Sequence, residues 1–166
     1  MKKIVTLTIA LLLALTTVVG ATSGVKSFQK ITLDGKEVSL QGYLIENANY
    51  FKLRDLANIL NGTCAQFDIS YNKEKAQIQI KKSTSYSEAQ KGLSALKSEK
   101  VNAEMSTQNV LVDGVTHKVY TALIEQNNFV KLRDVAKILG FEVEYNETTK
   151  EINLKTTDVP GTCTIH

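Results

Sequence analysis

The sequence predicts an α+β protein of two tandem modules, each running strand, strand, strand, helix, strand, strand. Three observations carry this expectation. The phrase "YFKLRDLANIL" at residues 50–60 returns 79 residues later as "FVKLRDVAKIL" at residues 129–139. Around it, residues 31–60 align without a gap to residues 110–139, and 13 of the 30 positions are identical. Composition alone does not produce such self-similarity, so the repeat sets the architecture before any single motif does. Finally, the hydrophobic period switches from two to 3.6 and back to two in both copies at the same place.

Within each copy the elements follow from local chemistry. Asp34-Gly35 and Asp113-Gly114 separate two apolar stretches and tolerate the positive φ of a two-residue hairpin turn. Asn47 to Asn49, and Asn127-Asn128 in the second copy, suit another tight turn. A third strand reaches Leu53 or Leu132. Leu53, Leu56, Ala57 and Leu60 are spaced i, i+3, i+4, i+7, as are Leu132, Val135, Ala136 and Leu139. That spacing places them on one helical face able to cover a sheet. Gly140 and Asn61-Gly62 fall where helix C-caps belong. Phe67, Ile69 and Tyr71 then alternate, as do Phe141, Val143 and Tyr145, and the last strands carry Ile78 and Ile80 or Ile152 and Leu154. After the helix the register between the copies shifts by five residues. The expected modules span 22–82 and 110–156, joined by a polar linker or crossing segment at 83–109 and followed by a tail at 157–166.

The N-terminus reads as a secretory signal over residues 1–21. Two lysines precede an uncharged run from Ile4 to Val19, and "VGA" supplies small residues for cleavage after Ala21. An uncleaved anchor is the alternative, although the run is slightly short for a span of about 20 residues. Removing the signal leaves 18 basic against 17 acidic side chains, a formal charge of +1 in place of +3. A near-neutral chain argues against nucleic-acid binding by bulk charge. The expected mature form is exported, secreted or associated with the cell envelope, and does not span the membrane. Cys64 and Cys163 form a candidate disulfide in such a compartment, with two independent thiols as the alternative.

The charged centre of the repeat comprises Lys52, Leu53, Arg54 and Asp55, and again Lys131, Leu132, Arg133 and Asp134. An acid in the first helical turn favours the positive end of the helix dipole. The arginine suits a carboxylate partner or the carbonyls of a neighbouring strand. Catalysis would need a nucleophile, histidine or metal cluster beside these residues, and neither copy supplies one. The motif therefore reads as a structural joint rather than an active site. The bare Ser-x-x-Lys of Ser94 to Lys97 and the sequons at Asn61 and Asn146 fit linker and turn chemistry. Tyr43, Tyr50, Tyr86 and Tyr120 are the candidate surface aromatics for stacking on sugars or peptide side chains, with core packing as the alternative for each.

"LDGKEVSLQGYLIENANYFKLRDLA", with its partner around "FVKLRDVAKIL", resembles the copper amine oxidase N-terminal-like domain, also called the stalk domain. The resemblance covers nearly all of the mature chain. It implies a five-stranded antiparallel sheet wrapped around the helix, in tandem copies of the kind found in exported proteins of Gram-positive bacteria. It does not imply copper: in amine oxidases the metal lies in another domain, and here His117 and His166 cannot supply a three-histidine site. The expected function is a non-catalytic exported module, without cofactor or metal, that binds or organises a cell-wall component or an exported protein. Assembly, as a homodimer or with a partner, is the second expectation, and a hydrolase site between the modules is a remote third.

Overall fold

The computed structural model describes residues 20–156 of the chain. In chain order the elements are β1 (Ala21–Lys26), β2 (Ile31–Leu33), β3 (Lys36–Glu37), β4 (Gly42–Ile45), β5 (Ala48–Lys52), α1 (Leu53–Leu60), β6 (Phe67–Asn72) and β7 (Gln77–Lys82). After a 3-10 turn at Ala89–Lys91 come β8 (Lys100–Val112), β9 (Val115–Ile124), β10 (Asn127–Lys131), α2 (Leu132–Leu139), β11 (Glu142–Asn146) and β12 (Glu151–Lys155). The helices start and stop as their apolar spacing requires, and Gly140 ends α2 in the left-handed conformation.

The architecture is mostly β, with two short helices, and is not the expected α+β arrangement of two tandem five-stranded modules. Six strands in the order β1-β4-β5-β10-β9-β8 close through a β8–β1 pairing into one antiparallel barrel, to which each repeat contributes three. The physical reason lies in the strand edges. A lone sheet would leave β1 and β5 with unpaired backbone groups along their outer edges, and the second repeat supplies matching edges in β8 and β10. At the β5–β10 seam Phe51 faces Val130, its own counterpart, with Tyr50 opposite Lys131 and Lys52 opposite Phe129. At the β1–β8 seam Thr22 faces Ala103 and Gly24 faces Val101, pairs that also interchange when the repeats are exchanged. A pseudo-twofold axis therefore relates the repeats.

The outer hairpins are exchanged as well. β7 runs parallel to β8, with Ile78 opposite Val110 and Ile80 opposite Val112. Equivalently, β12 runs parallel to β2, with Ile152 opposite Ile31 and Leu154 opposite Leu33. Each repeat's last hairpin thus completes the sheet begun by the other repeat. β8 and β9 are continuous where the first repeat has the separate pieces β1, β2 and β3, β4.

Alternation along the seam strands divides the apolar residues into two cores. Tyr50 and Phe129 point into the barrel with Tyr43, Ile45, Val101, Ala103, Ala122 and Ile124. Tyr43 and Phe129 meet edge to face with centroids 5.3 Å apart. Phe51 and Val130 point the other way, into a larger core formed with α1, α2 and the outer hairpins. The expected Asp-Gly turns carry positive φ at Asp34, Gly35, Asp113 and Gly114. The second pair of turns sits at Glu46-Asn47 and Glu125-Gln126, because Ile45 pairs Ala48 and Ile124 pairs Asn127. Asn49, Asn127 and Asn128 consequently belong to strands rather than to those turns.

Candidate functional site

The repeated Lys-Leu-Arg-Asp occupies the strand-to-helix corners beside the β5–β10 seam. Lys52 and Lys131 end their strands, Leu53 and Leu132 open the helices and are buried, and Arg54 and Arg133 are exposed. Lys52 reaches across the seam to the other repeat, whereas Lys131 lies over a ring of its own repeat. Lys52 Nζ lies 5.8 Å from the Phe129 ring centroid, and Lys131 Nζ lies 5.6 Å from that of Tyr120.

Each corner forms one wall of a groove, and each groove takes its other wall from the opposite repeat. The first groove, about 1000 Å³, joins Lys52, Arg54, Ile69, Tyr71 and Ile78 to Gln108 and Asn128. The second, about 520 Å³, joins Lys131, Arg133, Val143, Tyr145 and Ile152 to Gln29 and Asn49. These two sets are counterparts position by position under the pseudo-twofold. The chain therefore carries one groove built twice, with cations, side-chain amides and a tyrosine at its mouth.

The two copies differ in what lies against their helix. Along α1 runs the segment 86–96. Glu88 Oε2 accepts from Arg54 at 3.2 Å, and its other oxygen accepts from Lys91 at 2.6 Å. Ser87 donates through N–H and O–H to Asp68, and Asn58 donates to the Ala89 carbonyl at 2.9 Å. The Ser94 N–H and O–H both donate to Asp55, whose side chain is 2 % exposed. The hydrogen bond from Lys91, with Arg54 nearby, holds the Glu88 carboxyl below its ordinary value. Burial pushes the Asp68 carboxyl up, but the donors of Ser87 outweigh it and the net displacement is downward. Burial, followed by the charge of Glu88, pushes the Tyr86 phenol up.

Around α2 the corresponding groups lack these hydrogen bonds and ion pairs among the described residues. Arg133 has no ion pair among the described residues. One carboxylate oxygen of Asp134 (Oδ2) and the amide oxygen of Asn49 are buried without a hydrogen-bond partner among the described residues. The Asn49 counterpart, Asn128, accepts from Gln108 at 3.5 Å, whereas Gln29 turns its amide to the Tyr145 hydroxyl at 3.3 Å. Burial and the neighbouring charges of Asp134 and Glu46 push the Tyr50 phenol up.

The structure places Tyr43, Tyr50 and Tyr86 in the cores and leaves Tyr120 57 % exposed. Tyr71, which alternation assigns to the core face of its strand, is 58 % exposed on β6, the edge strand of its sheet. The signal for it is present in the sequence as the repeated Tyr-Asn of Tyr71 and Tyr145. The Ser94 hydroxyl donates to Asp55. Cys64 is disulfide-bonded, and Cys163 lies outside the described residues, as do residues 1–19 of the expected signal and the tail. Among the described residues no group of three or more His, Cys, Asp or Glu could hold a metal ion, and no helix is long and apolar enough to cross a membrane. No family model matches the chain, and no curated protein and no solved structure shows a significant match.

Proposed function

We propose that the chain is an exported, non-catalytic module that binds a cell-envelope component through its two grooves. The observation that carries this reading is the duplication of one groove, with equivalent cations, amides and tyrosines, on opposite sides of a shared seam. Tyr71, exposed in the first groove, and Tyr145, partly buried in the second, stand beside side-chain amides, a combination that suits stacking and hydrogen bonding to a polar polymer. Two such sites on one chain raise binding to a repetitive surface by avidity when both engage. The signal-like N-terminus and the resemblance of the repeat to the stalk domain support export and a place in the envelope.

The test is co-sedimentation of residues 22–166 with purified sacculi, comparing the parent chain with Tyr71→Ala, Tyr145→Ala and the double variant. Point variants of the whole chain are required because the barrel interleaves both repeats, so neither half is a folded control. Removing one stacking interaction of about 1 kcal/mol lowers affinity roughly fivefold. Each single variant should weaken saturable pelleting, and the double variant should weaken it more than either. A parent chain that stays in the supernatant, or a double variant that pellets like the parent, refutes the reading.

A further inference from the structure

The pseudo-twofold gives the surface of α2 a counterpart whose occupant is visible. Along α1, the chain's own segment 86–96 is held through four polar anchors: Arg54 on Glu88, Asp55 on Ser94, Asn58 on the Ala89 carbonyl and Asp68 on Ser87. Under the repeat alignment these correspond to Arg133, Asp134, Lys137 and Glu142. Each keeps the chemistry its role demands: a guanidinium for a carboxylate, a carboxylate for an N–H and a hydroxyl, a donor for a carbonyl, and a second carboxylate for a serine. Arg133, Lys137 and Glu142 are exposed, and Asp134 retains a buried oxygen without a partner among the described residues. The anchors are present and among the described residues nothing is tied to them.

We propose that this α2 face binds a peptide segment of a partner protein that carries a carboxylate and, six positions later, a serine, laid across the helix as residues 86–96 lie across α1. The inference rests on the reading of the chain as a binding module and adds a peptide site along α2 that shares Arg133 with the second groove. Arg133, at the groove's mouth, takes the acid of the peptide. Asp134 takes the N–H and hydroxyl of a serine six positions later, the separation of Glu88 from Ser94. Tyr120, exposed where the first repeat has Gln41, borders the path. In the first repeat Gln41 accepts the Leu96 N–H at 3.0 Å.

A fluorescently labelled peptide with the sequence of residues 84–96, TSYSEAQKGLSAL, is the probe, and binding to the whole mature chain is read by polarisation. Saturable binding is expected. Arg133→Glu should weaken it at least tenfold, the effect of replacing one charge-assisted hydrogen bond by repulsion between like charges, and a peptide with lysine in place of Glu88 should bind the Arg133→Glu chain better than the parent chain. Arg133 is exposed, so folding is not at risk, and an unchanged denaturation midpoint verifies this. Loss of binding with Arg54→Glu but not Arg133→Glu overturns the proposal, because the peptide would then be replacing the resident segment at α1. Binding seen only after deletion of residues 157–166 also overturns it, since the chain itself would be the occupant. Concentration-dependent self-association abolished by Arg133→Glu would assign the face to a second copy and overturn it as well. Sacculus binding is read separately: if it persists while the peptide fails, the ligand class is refuted and the envelope reading stands.

Discussion

Gly42→Thr tests the pseudo-twofold at a place where the two repeats have solved one packing problem differently. Gly42 pairs with Phe51 across β4–β5, and the counterpart pair across β9–β10 is Thr121 with Val130. A Cβ at position 42 would lie 2.5 Å from Phe51 Cε1 and 2.5 Å from the Tyr50 carbonyl oxygen. Phe51 is fully buried between the seam and the helices, so its ring has no room to retreat. Overpacking of a closed core costs about 1–3 kcal/mol, and the clash with backbone puts Gly42→Thr at the upper end, near 3 kcal/mol. In a chain of this size that corresponds to roughly 6–12 °C in melting temperature. Phe51→Val alone opens a cavity and destabilises as well. Combined, the two changes recreate the volume arrangement of Thr121 and Val130, so the double variant should lose about 1–2 kcal/mol less than the sum of the singles. The rescue is partial because the Tyr50 carbonyl remains. Urea denaturation of the four proteins gives the coupling directly. Additive losses would show that the two seam pairs are not equivalent in packing, and that the internal symmetry stops short of these side chains.

Three further outcomes follow from contrasts between the repeats. Asp55→Ala should destabilise by about 2 kcal/mol by leaving the Ser94 donors unpaired, whereas Asp134→Ala should change stability by less than about 0.5 kcal/mol or increase it; equal effects in thermal denaturation would contradict the different surroundings of the two acids. Gly140→Ala should cost about 1 kcal/mol through its φ of +84° alone, since a Cβ there meets nothing within 4 Å, and a neutral result in chemical denaturation would refute that assignment. Asp68 and Glu88 are both held below their ordinary values of 3.8 and 4.5. Their contribution is therefore complete above about pH 4.5 and falls away as acid drives the pH down through the depressed values. Amide exchange at Ser87 should accelerate over that acid range before the barrel amides do, and simultaneous release would refute it.

Much of the local structure is legible in the sequence because turn chemistry and helical spacing are short-range. The Asp-Gly hairpins, both helices and the glycine that ends α2 follow from residues within a few positions of each other. The barrel is not legible, and residues 21–30 show why. They correspond to 100–109, yet "ATSGVKSFQK" and "KVNAEMSTQN" share little beyond a serine and a glutamine. What these strands have in common is small size at the barrel wall, as at Gly24 and Ala103, and pairing through backbone groups that any side chain permits. The exchange of β7 and β12 is equally hidden, since Ile78 and Ile152 satisfy an apolar pattern whichever repeat lies beside them. The charged motif lies at a helix start, as its place just ahead of the apolar spacing indicates. Its role as a groove wall depends on Gln108 and Asn128, or Gln29 and Asn49, which only the closed barrel brings near.

Closing the barrel also decides how the grooves depend on the chain. The edges left after closure belong to β3, β6 and β11, and they carry Lys36, Glu37, Asp68, Glu142 and Glu144, charges of the kind that discourage edge-to-edge pairing between molecules. The edges of β5 and β10, by contrast, are consumed in the seam. Because each groove has one wall from either repeat, and the seam between them is the pairing of Phe51 with Val130, the two sites share a single structural support. A displacement at that seam moves Lys52 and Asn128 in one groove and Lys131 and Asn49 in the other together. The duplicated motif is thus more than a joint: its helical half packs into the larger core, and its lysine and arginine face the two grooves beside that joint.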